Sequence, residues 1–500
     1  MLKKGFIILI VVAVFSLTVT TVIARTTPKF TEFPIAVGRD SAFVGGAAFD
    51  GTNYLVGILG DTLGSSNITA QLVSQTGSLI GSRISVGRTG AASLDGGGPA
   101  VAFDGTNYLM VWTDNGLYPN LDIYGQFVAP SGNLVRTPFP IAETADDELC
   151  CRIAFADPTY MVVFVRNDIL YGQCVDKSGN LVGSVIQISS EFSRWDFAIA
   201  FDGTNYLVVW VKKIEDRDKD IYGQFVSAFG LPVGTNFLID DGTYPSDNPV
   251  SVAFDGSRYL VCFTDEVDTT SHYWDVFGRF VTTSGDTAER VTICEDTGEQ
   301  IAPFIAFDGT NYLITLNDIG DTVYCKGRFF NTSGAPVDNV FTIFGPLGDK
   351  FPIGGVMGYD GSQYFVGCSR VTIDTTGGQF EFTNGDVYGT FISPYMGITE
   401  GDSHSSPITF ELMENYPNPF TASTSIRYAL PRSAHIELAI YNIQGQLVRT
   451  LFRGEKAPGT HIVSWNGRDE MDKDVSSGIY FCQLKEASGI KKVRKMLLLR

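Results

Sequence analysis

Beyond an apolar N-terminal run, the chain alternates short hydrophobic stretches with clusters of Gly, Asn, Asp and Ser, and one such alternation is written seven times. A full copy reads Val101-Ala102-Phe103, then Asp104-Gly105-Thr106-Asn107, then Tyr108-Leu109-Met110-Val111-Trp112. Two apolar runs about an Asp-Gly turn predict a β-hairpin. After a variable loop come Asp122-Ile123-Tyr124-Gly125-Gln126-Phe127-Val128, a Ser131-Gly132-Asn133 turn and a short run at Phe139-Pro140-Ile141. Each copy therefore predicts four strands, A to D. In strand B, Tyr108, Met110 and Trp112 alternate with Leu109 and Val111, so both faces are apolar and both need cover.

The Asp of the turn recurs at Asp50, Asp104, Asp157, Asp202, Asp255, Asp308 and Asp360, in steps of 54, 53, 45, 53, 53 and 52 residues. A constant period marks a repeat architecture, in which each unit buries its apolar faces only by stacking on copies of itself. Radial stacking of four-stranded blades satisfies this and leaves short edges. The expected body is a seven-bladed β-propeller over residues 29–395. Its ends are offset from the repeat. Phe33-Pro34-Ile35-Ala36 resembles the D strand Phe139-Pro140-Ile141-Ala142, and the last C strand, Asp386 to Ile392, has no D strand after it. The N-terminal strand is therefore expected to complete the last blade and close the ring.

The repeated residues are explained by structure. Asp-Gly suits a tight turn, the Tyr fills a blade interface, and Gly125, Gly172, Gly223 and Gly389 mark close approach or a bulge. The third copy, Phe155-Ala156-Asp157-Pro158, loses the Gly. In a four-stranded blade the A–B and C–D turns share one end of the disc, and here they are short and repeated. The B–C and D–A loops share the other end and differ in every copy. Recognition belongs on that variable end.

Composition places the chain rather than naming its activity. With 44% hydrophobic residues and 54 Gly in 500 residues, it suits packed short strands and tight turns. Met1-Leu2-Lys3-Lys4, the apolar run from Gly5 to about Val22, and Val22-Ile23-Ala24 have the regions of a secretory signal peptide over 1–24. An uncleaved anchor is the alternative; after cleavage no membrane span is expected. The net charge of −19 is uneven. Residues 408–500 carry 13 Lys and Arg against 9 Asp and Glu, a net +4, and the rest carries 23 against 46, a net −23. So acidic a body argues against nucleic acid as a partner. Eight Cys follow no repeat register and form no CxxC pair. Several lie in strand-like runs, where a buried free thiol is the expected role.

After Tyr395 the repeat stops, and 396–407 reads as a linker. Six strand-sized runs follow, from Ser425 to Leu499, predicting a separate small Ig-like β-sandwich over 408–500. Five blocks stand in order there: Asn415-Tyr416-Pro417-Asn418-Pro419-Phe420, Ile440-Tyr441-Asn442-Ile443-Gln444-Gly445-Gln446, Trp465-Asn466-Gly467-Arg468-Asp469, Ser477-Gly478-Ile479-Tyr480-Phe481 and Lys495-Met496-Leu497-Leu498-Leu499-Arg500. The segment resembles the C-terminal sorting domain of the bacterial type IX secretion system, departing from it at Thr421-Ala422 and Asn466. The resemblance implies type IX secretion machinery as a partner and a secreted or outer-surface location. It implies nothing about the body. The repeats themselves are similar to those of other bacterial exported proteins of uncharacterised role.

Candidate chemistry is sparse. Of the four His, only His272 falls in the repeats, so a Ser-His-Asp or Cys-His arrangement would depend on it alone. Asp216, Asp218 and Asp220 alternate as in calcium loops but lack the Gly and distal Glu of an EF-hand, leaving calcium or a charged loop open. Asp146-Asp147-Glu148 and Glu295-Asp296 carry the same ambiguity. Tyr118, Tyr244, Tyr273 and Trp274 fall in variable-end loops, where aromatic rings stack on sugars or fill a partner's pocket. The expectation is a non-enzymatic module binding an extracellular glycan or protein, with no catalytic residue assigned and no cofactor other than calcium left open. The alternatives are a glycan-active hydrolase with paired acids at the propeller channel and a structural envelope component.

Overall fold

The computed structural model describes residues 30–38, 42–60, 66–89, 98–114, 120–189, 197–213, 219–241, 250–268, 273–296, 298–320, 322–374, 381–394, 410–412, 415, 418, 420, 424–430, 432–456, 459–486, 489 and 491–499. The expected signal peptide and linker lie outside them. Among the described residues the regular structure is all β-strand, and no helix is long and apolar enough to cross a membrane.

Seven four-stranded antiparallel sheets follow one another along the chain. Sheet 1 holds Phe43–Phe49, Asn53–Leu59, Ser66–Ser74 and Leu79–Thr89; sheet 2 holds Ala100–Phe103, Tyr108–Asp114, Asp122–Val128 and Leu134–Ala142. Sheet 3 is Glu148–Ala156, Thr159–Arg166, Ile169–Asp176 and Leu181–Gln187, and sheet 4 is Phe197–Phe201, Asn205–Lys213, Lys219–Ser227 and Pro232–Asp240. Ser251–Phe254, Arg258–Asp268, Tyr273–Thr282 and Thr287–Cys294 form sheet 5; Glu299–Phe307, Asn311–Ile319, Val323–Asn331 and Phe341–Phe344 form sheet 6. Sheet 7 takes Phe351–Tyr359, Tyr364–Asp374 and Glu381–Ile392 from its own stretch of chain. Its fourth strand is Phe33–Ala36, paired antiparallel with Glu381–Ile392 through Phe33 opposite Gly389 and Ala36 opposite Val387.

The core is divided among the seams between sheets. Strand B of sheet 2 shows why both its faces are apolar. Tyr108, Met110 and Trp112 pack with Leu55, Leu59 and Leu72 of sheet 1, while Leu109 and Val111 pack with Tyr160, Val162 and Phe164 of sheet 3. Comparable clusters join each later pair of sheets. Another joins sheet 7 to sheet 1, through Ile35, Tyr54, Val56, Val356, Phe365 and Val387. The A strands touch one another in the same cyclic order, that of sheet 7 against that of sheet 1 included. The architecture is propeller-like.

The Gly of Tyr-Gly in strand C is there because two side chains of strand D fill its place. A Cβ on Gly125 would sit 2.9 Å from Ile141 and 3.1 Å from Phe139. One residue further, the ladder with strand D slips between Gly125 and Phe127, and Gln126 fills the gap by donating to Phe127 O and Val135 O at 2.8 and 3.0 Å. Gln71, Gln173 and Gln224 repeat this plug in sheets 1, 3 and 4. All eight Cys are buried free thiols, as expected of residues in such strands.

The C-terminal region has a core of its own. Glu411–Leu412, Thr424–Leu430 and Gly459–Trp465 make a three-stranded sheet. Leu447–Lys456, Ala434–Asn442, Gly478–Glu486 and Lys491–Leu498 make a four-stranded one. Trp465 of the first meets Tyr480 of the second edge-on at 5.1 Å, and Phe420 packs on the same indole at 5.5 Å.

Candidate functional site

The end of the sheets bearing the Asp-Gly turns is built from bonds that use each letter of the repeat. Asp104 Oδ1 accepts from the backbone N–H groups of Thr106 and Asn107, each at 2.7 Å, and Gly105 follows at φ 88°. Phe103 packs against Tyr108 with ring centroids 4.9 Å apart. The Tyr108 hydroxyl then reaches back to the previous sheet and donates to Asn53 O at 2.9 Å. Tyr160, Tyr259 and Tyr364 donate in the same way to Asn107, Asn205 and Asn311 O at 3.2, 3.2 and 2.9 Å. Burial first, and then the carboxylate of the preceding turn, holds the phenols of Tyr108, Tyr160 and Tyr259 far above the usual tyrosine range. The third copy departs as its sequence does: Asp157 pairs with Lys177 at 2.5 Å, and Tyr206 donates instead to Thr159 O at 3.1 Å.

Asp50, Asp202, Asp255, Asp308 and Asp360 cap their own turns as Asp104 does, which leaves the repeated acids with a structural task. Replacing Asp104 by Ala removes the acceptor for two backbone donors and is expected to lower stability by about 2 kcal/mol. Urea unfolding of Asp104→Ala, with Asp104→Asn retaining the acceptor and most of the stability, checks this.

The opposite, variable end differs from seam to seam. Between sheets 4 and 5, the buried Asp240 takes Arg279 at 2.8 Å and also Arg290, which reaches on to Asp265 at 2.6 Å. Between sheets 5 and 6, Lys326 joins Asp318 at 2.6 Å and Asp296 at 3.4 Å, and Gln300 donates to Asp318 at 3.0 Å. Between sheets 6 and 7 the buried Arg370 holds Gly345 O and also Glu32, and within sheet 7 Asp386 takes both Lys350 at 2.6 Å and the Gly38 N–H at 2.9 Å. Between sheets 2 and 3, Glu148 accepts from Arg166 and from the Thr144 hydroxyl at 2.6 and 2.5 Å.

Burial raises Glu299 at this end above the usual carboxylate range, and two further acids there are displaced as well. Asp122 is pushed up to about 6 by burial first, then by Glu148 and Glu143. Asp275 is pushed up to about 6 by burial first, then by Glu295 and Asp296. Both stand three residues before the Gly of strand C, as do Asp220 and Asp386. Comparison of the copies at that position would have found them, whereas sequence reasoning fixed on the Asp of the A–B turn.

Of the residues singled out from sequence, Tyr118, Tyr244, Asp216, Asp218 and His272 lie outside the described residues. Tyr273 opens strand C of sheet 5, opposite Asp268. Trp274 follows it, half-buried and opposite Glu266. Asp220 is half-buried on strand C of sheet 4, opposite Lys212. Among the described residues no group of three or more His, Cys, Asp or Glu is arranged to hold a metal ion. Asp146 and Asp147 serve the loop between sheets 2 and 3, Asp147 Oδ1 accepting from the Leu121 N–H at 3.0 Å.

No curated protein matches the chain. Among solved structures it is similar to a protein of unknown function from Dyadobacter fermentans, at 10% identity and a TM-score of 0.42 over 73% of this chain and 99% of that one. It is similar to the Dos1 propeller at 9% identity and a TM-score of 0.41, over 88% and 95% of the two chains. The polysaccharide lyase Uly1 aligns at 9% identity and 0.41, over 68% and 88%. Within the C-terminal region, whose two sheets pack through Trp465 and Tyr480, residues 419–489 match the family described as FlgD Ig-like domain.

Proposed function

We propose that the seven sheets are the blades of a closed seven-bladed β-propeller, exported from the cell, that binds an extracellular glycan or protein through its variable end without chemical turnover. The observation that carries this reading is the contrast between the two ends. At one, the repeated acids cap turns and the hydroxyls of Tyr108, Tyr160, Tyr206, Tyr259 and Tyr364 link successive sheets, a largely copied scaffold. At the other, each seam has its own set of charges and the loops differ in length and composition. A uniform frame with one diversified end is the form of a recognition module. At that end Asp240, Asp265, Asp318 and Asp386 are held in ion pairs, an unsuitable state for the accessible carboxylates that glycoside cleavage requires. Within this reading Tyr118, Tyr244, Tyr273 and Trp274 supply stacking surfaces, and a screen with and without calcium decides between calcium and a charged loop at Asp216, Asp218 and Asp220.

The C-terminal domain, with the five sequence blocks of a type IX sorting domain, directs the chain to that secretion machinery and so to the medium or the outer surface. The test is a glycan-array screen of the full chain with calcium and with chelator, each hit being checked for cleavage. A retained, intact glycan whose binding falls at least about tenfold in Trp274→Ala supports the reading. Cleaved glycan overturns it in favour of a hydrolase, and silence toward glycans moves the search to protein partners.

A further inference from the structure

Below the loop that joins sheet 2 to sheet 3, two buried carboxyl groups meet with no donor between them. Asp122 is 7% exposed and Glu148 is fully buried. Glu148 Oε1 is occupied by Arg166 and Thr144, while Glu148 Oε2 and Asp122 Oδ1 have no hydrogen-bond partner. The two side chains lie within hydrogen-bond reach of each other. Two ionised carboxylates in this position would each leave a buried acceptor unsatisfied and would repel. One proton between them satisfies both.

The surroundings favour a proton over a metal ion. The groups that face the pair are Asp114 from strand B of sheet 2, Tyr124 on strand C, Glu143 after strand D and Arg166 from strand B of sheet 3, while Asp147 of the connecting loop holds the neighbouring Leu121 N–H. Arg166 already neutralises Glu148, and among the described residues no third ligating side chain is arranged with the pair to hold a metal ion. Burial first, and then the negative neighbours that Asp122 is left facing, push it up to about 6. Around the pair the backbone is stitched across the seam: the Glu148 N–H donates to Leu121 O at 2.6 Å, and Asn120 Nδ2 donates to Thr144 O at 3.1 Å.

We propose that Asp122 and Glu148 form a proton-operated latch, one shared proton fastening the variable end of sheet 2 to the first strand of sheet 3. In the closed state Asp122 binds its proton more tightly than in an opened loop, where its value returns to the ordinary 3.8. The latch is therefore strongest in acid, weakens as pH rises toward about 6, and gains nothing further above that. From about pH 5 to about pH 7.5 the closed state loses about tenfold in its equilibrium against the open one.

Hydrogen exchange of the full chain, corrected for intrinsic rates, reads this directly in peptides covering 120–123 and 144–149. Protection is expected to fall about tenfold from about pH 5 to about pH 7.5 in the wild type. Asp122→Asn, whose amide donates to Glu148 at any pH, is expected to hold its protection constant. Equal corrected protection of the wild type at the two pH values overturns the latch, as does an Asp122→Asn protein that loses protection with pH as the wild type does. Should the variant not fold, the wild-type series decides alone. Since nothing here depends on a ligand, failure of the latch and failure of the binding function are separate results.

Discussion

Removal of residues 1–38 is expected to cost the body much of the seam between sheets 7 and 1 and about 5 kcal/mol or more of stability. The strand Phe33–Ala36 is short, but it brings Ile35 and Ala36, 3% and 2% exposed, into the core shared by sheets 7 and 1. Phe33 stacks on Phe391 at 5.5 Å. Burial of an Ile and most of a Phe contributes about 3–5 kcal/mol. The truncation also removes Glu32 from Arg370, which is 1% exposed, and unpairing a buried charge adds about 3 kcal/mol. It further exposes the backbone of Glu381–Ile392 as an open sheet edge, a template for self-association. The expected result is a large fall in melting temperature together with dimers or aggregates on size exclusion. A monomer that melts within a few degrees of the full chain would contradict the role given to this strand.

Arg290→Met is expected to be the most damaging single substitution at the variable end, at roughly 3–5 kcal/mol. The guanidinium bridges Asp240 of sheet 4 and Asp265 of sheet 5, whose carboxylates are nearly or wholly buried, and lies 4.8 Å over the ring of Phe277. Its loss leaves Arg279 as the ion-pair partner of Asp240 and strips Asp265 of this cation. Desolvated carboxylates are costly once their counter-charge is gone. Replacement of Arg290 and Asp265 together, as Met and Leu, should recover part of the loss, because the charge and its partner leave at once. Chemical denaturation of the single and double variants measures both effects. A change below about 1 kcal/mol for Arg290→Met would place the pair among weak surface contacts.

Periodic features of the fold were legible in the sequence, and aperiodic ones were not. The Asp-Gly spacing marked each hairpin, the two-faced apolar strand B announced the seams on either side of it, and the likeness of Phe33-Pro34-Ile35 to Phe139-Pro140-Ile141 placed the N-terminal strand in the last sheet. All of these rest on local pattern or internal repetition. The Gln plug in strand C recurs in sheets 1 to 4, with Arg279, Arg328 and Thr390 at its place in the later sheets, and its meaning depends on a slipped ladder that sequence does not display. The ionic clusters at the variable end were beyond reach for another reason. Whether Asp240 meets Arg290 or solvent is decided by side chains about fifty residues apart on different sheets, and no repeat constrains that choice.

The donated strand also sets the order of events when the chain is made. Each of the first six sheets is complete within one continuous stretch of chain, so its hairpins can form as soon as that stretch appears. Phe33–Ala36 instead waits for partners roughly 350 residues later, at Val387, Tyr388 and Gly389. Contacts of such long sequence separation form late. Synthesis from the N-terminus therefore holds back the last step until nearly the whole body has emerged, and a chain interrupted earlier carries a first strand with nothing to pair with.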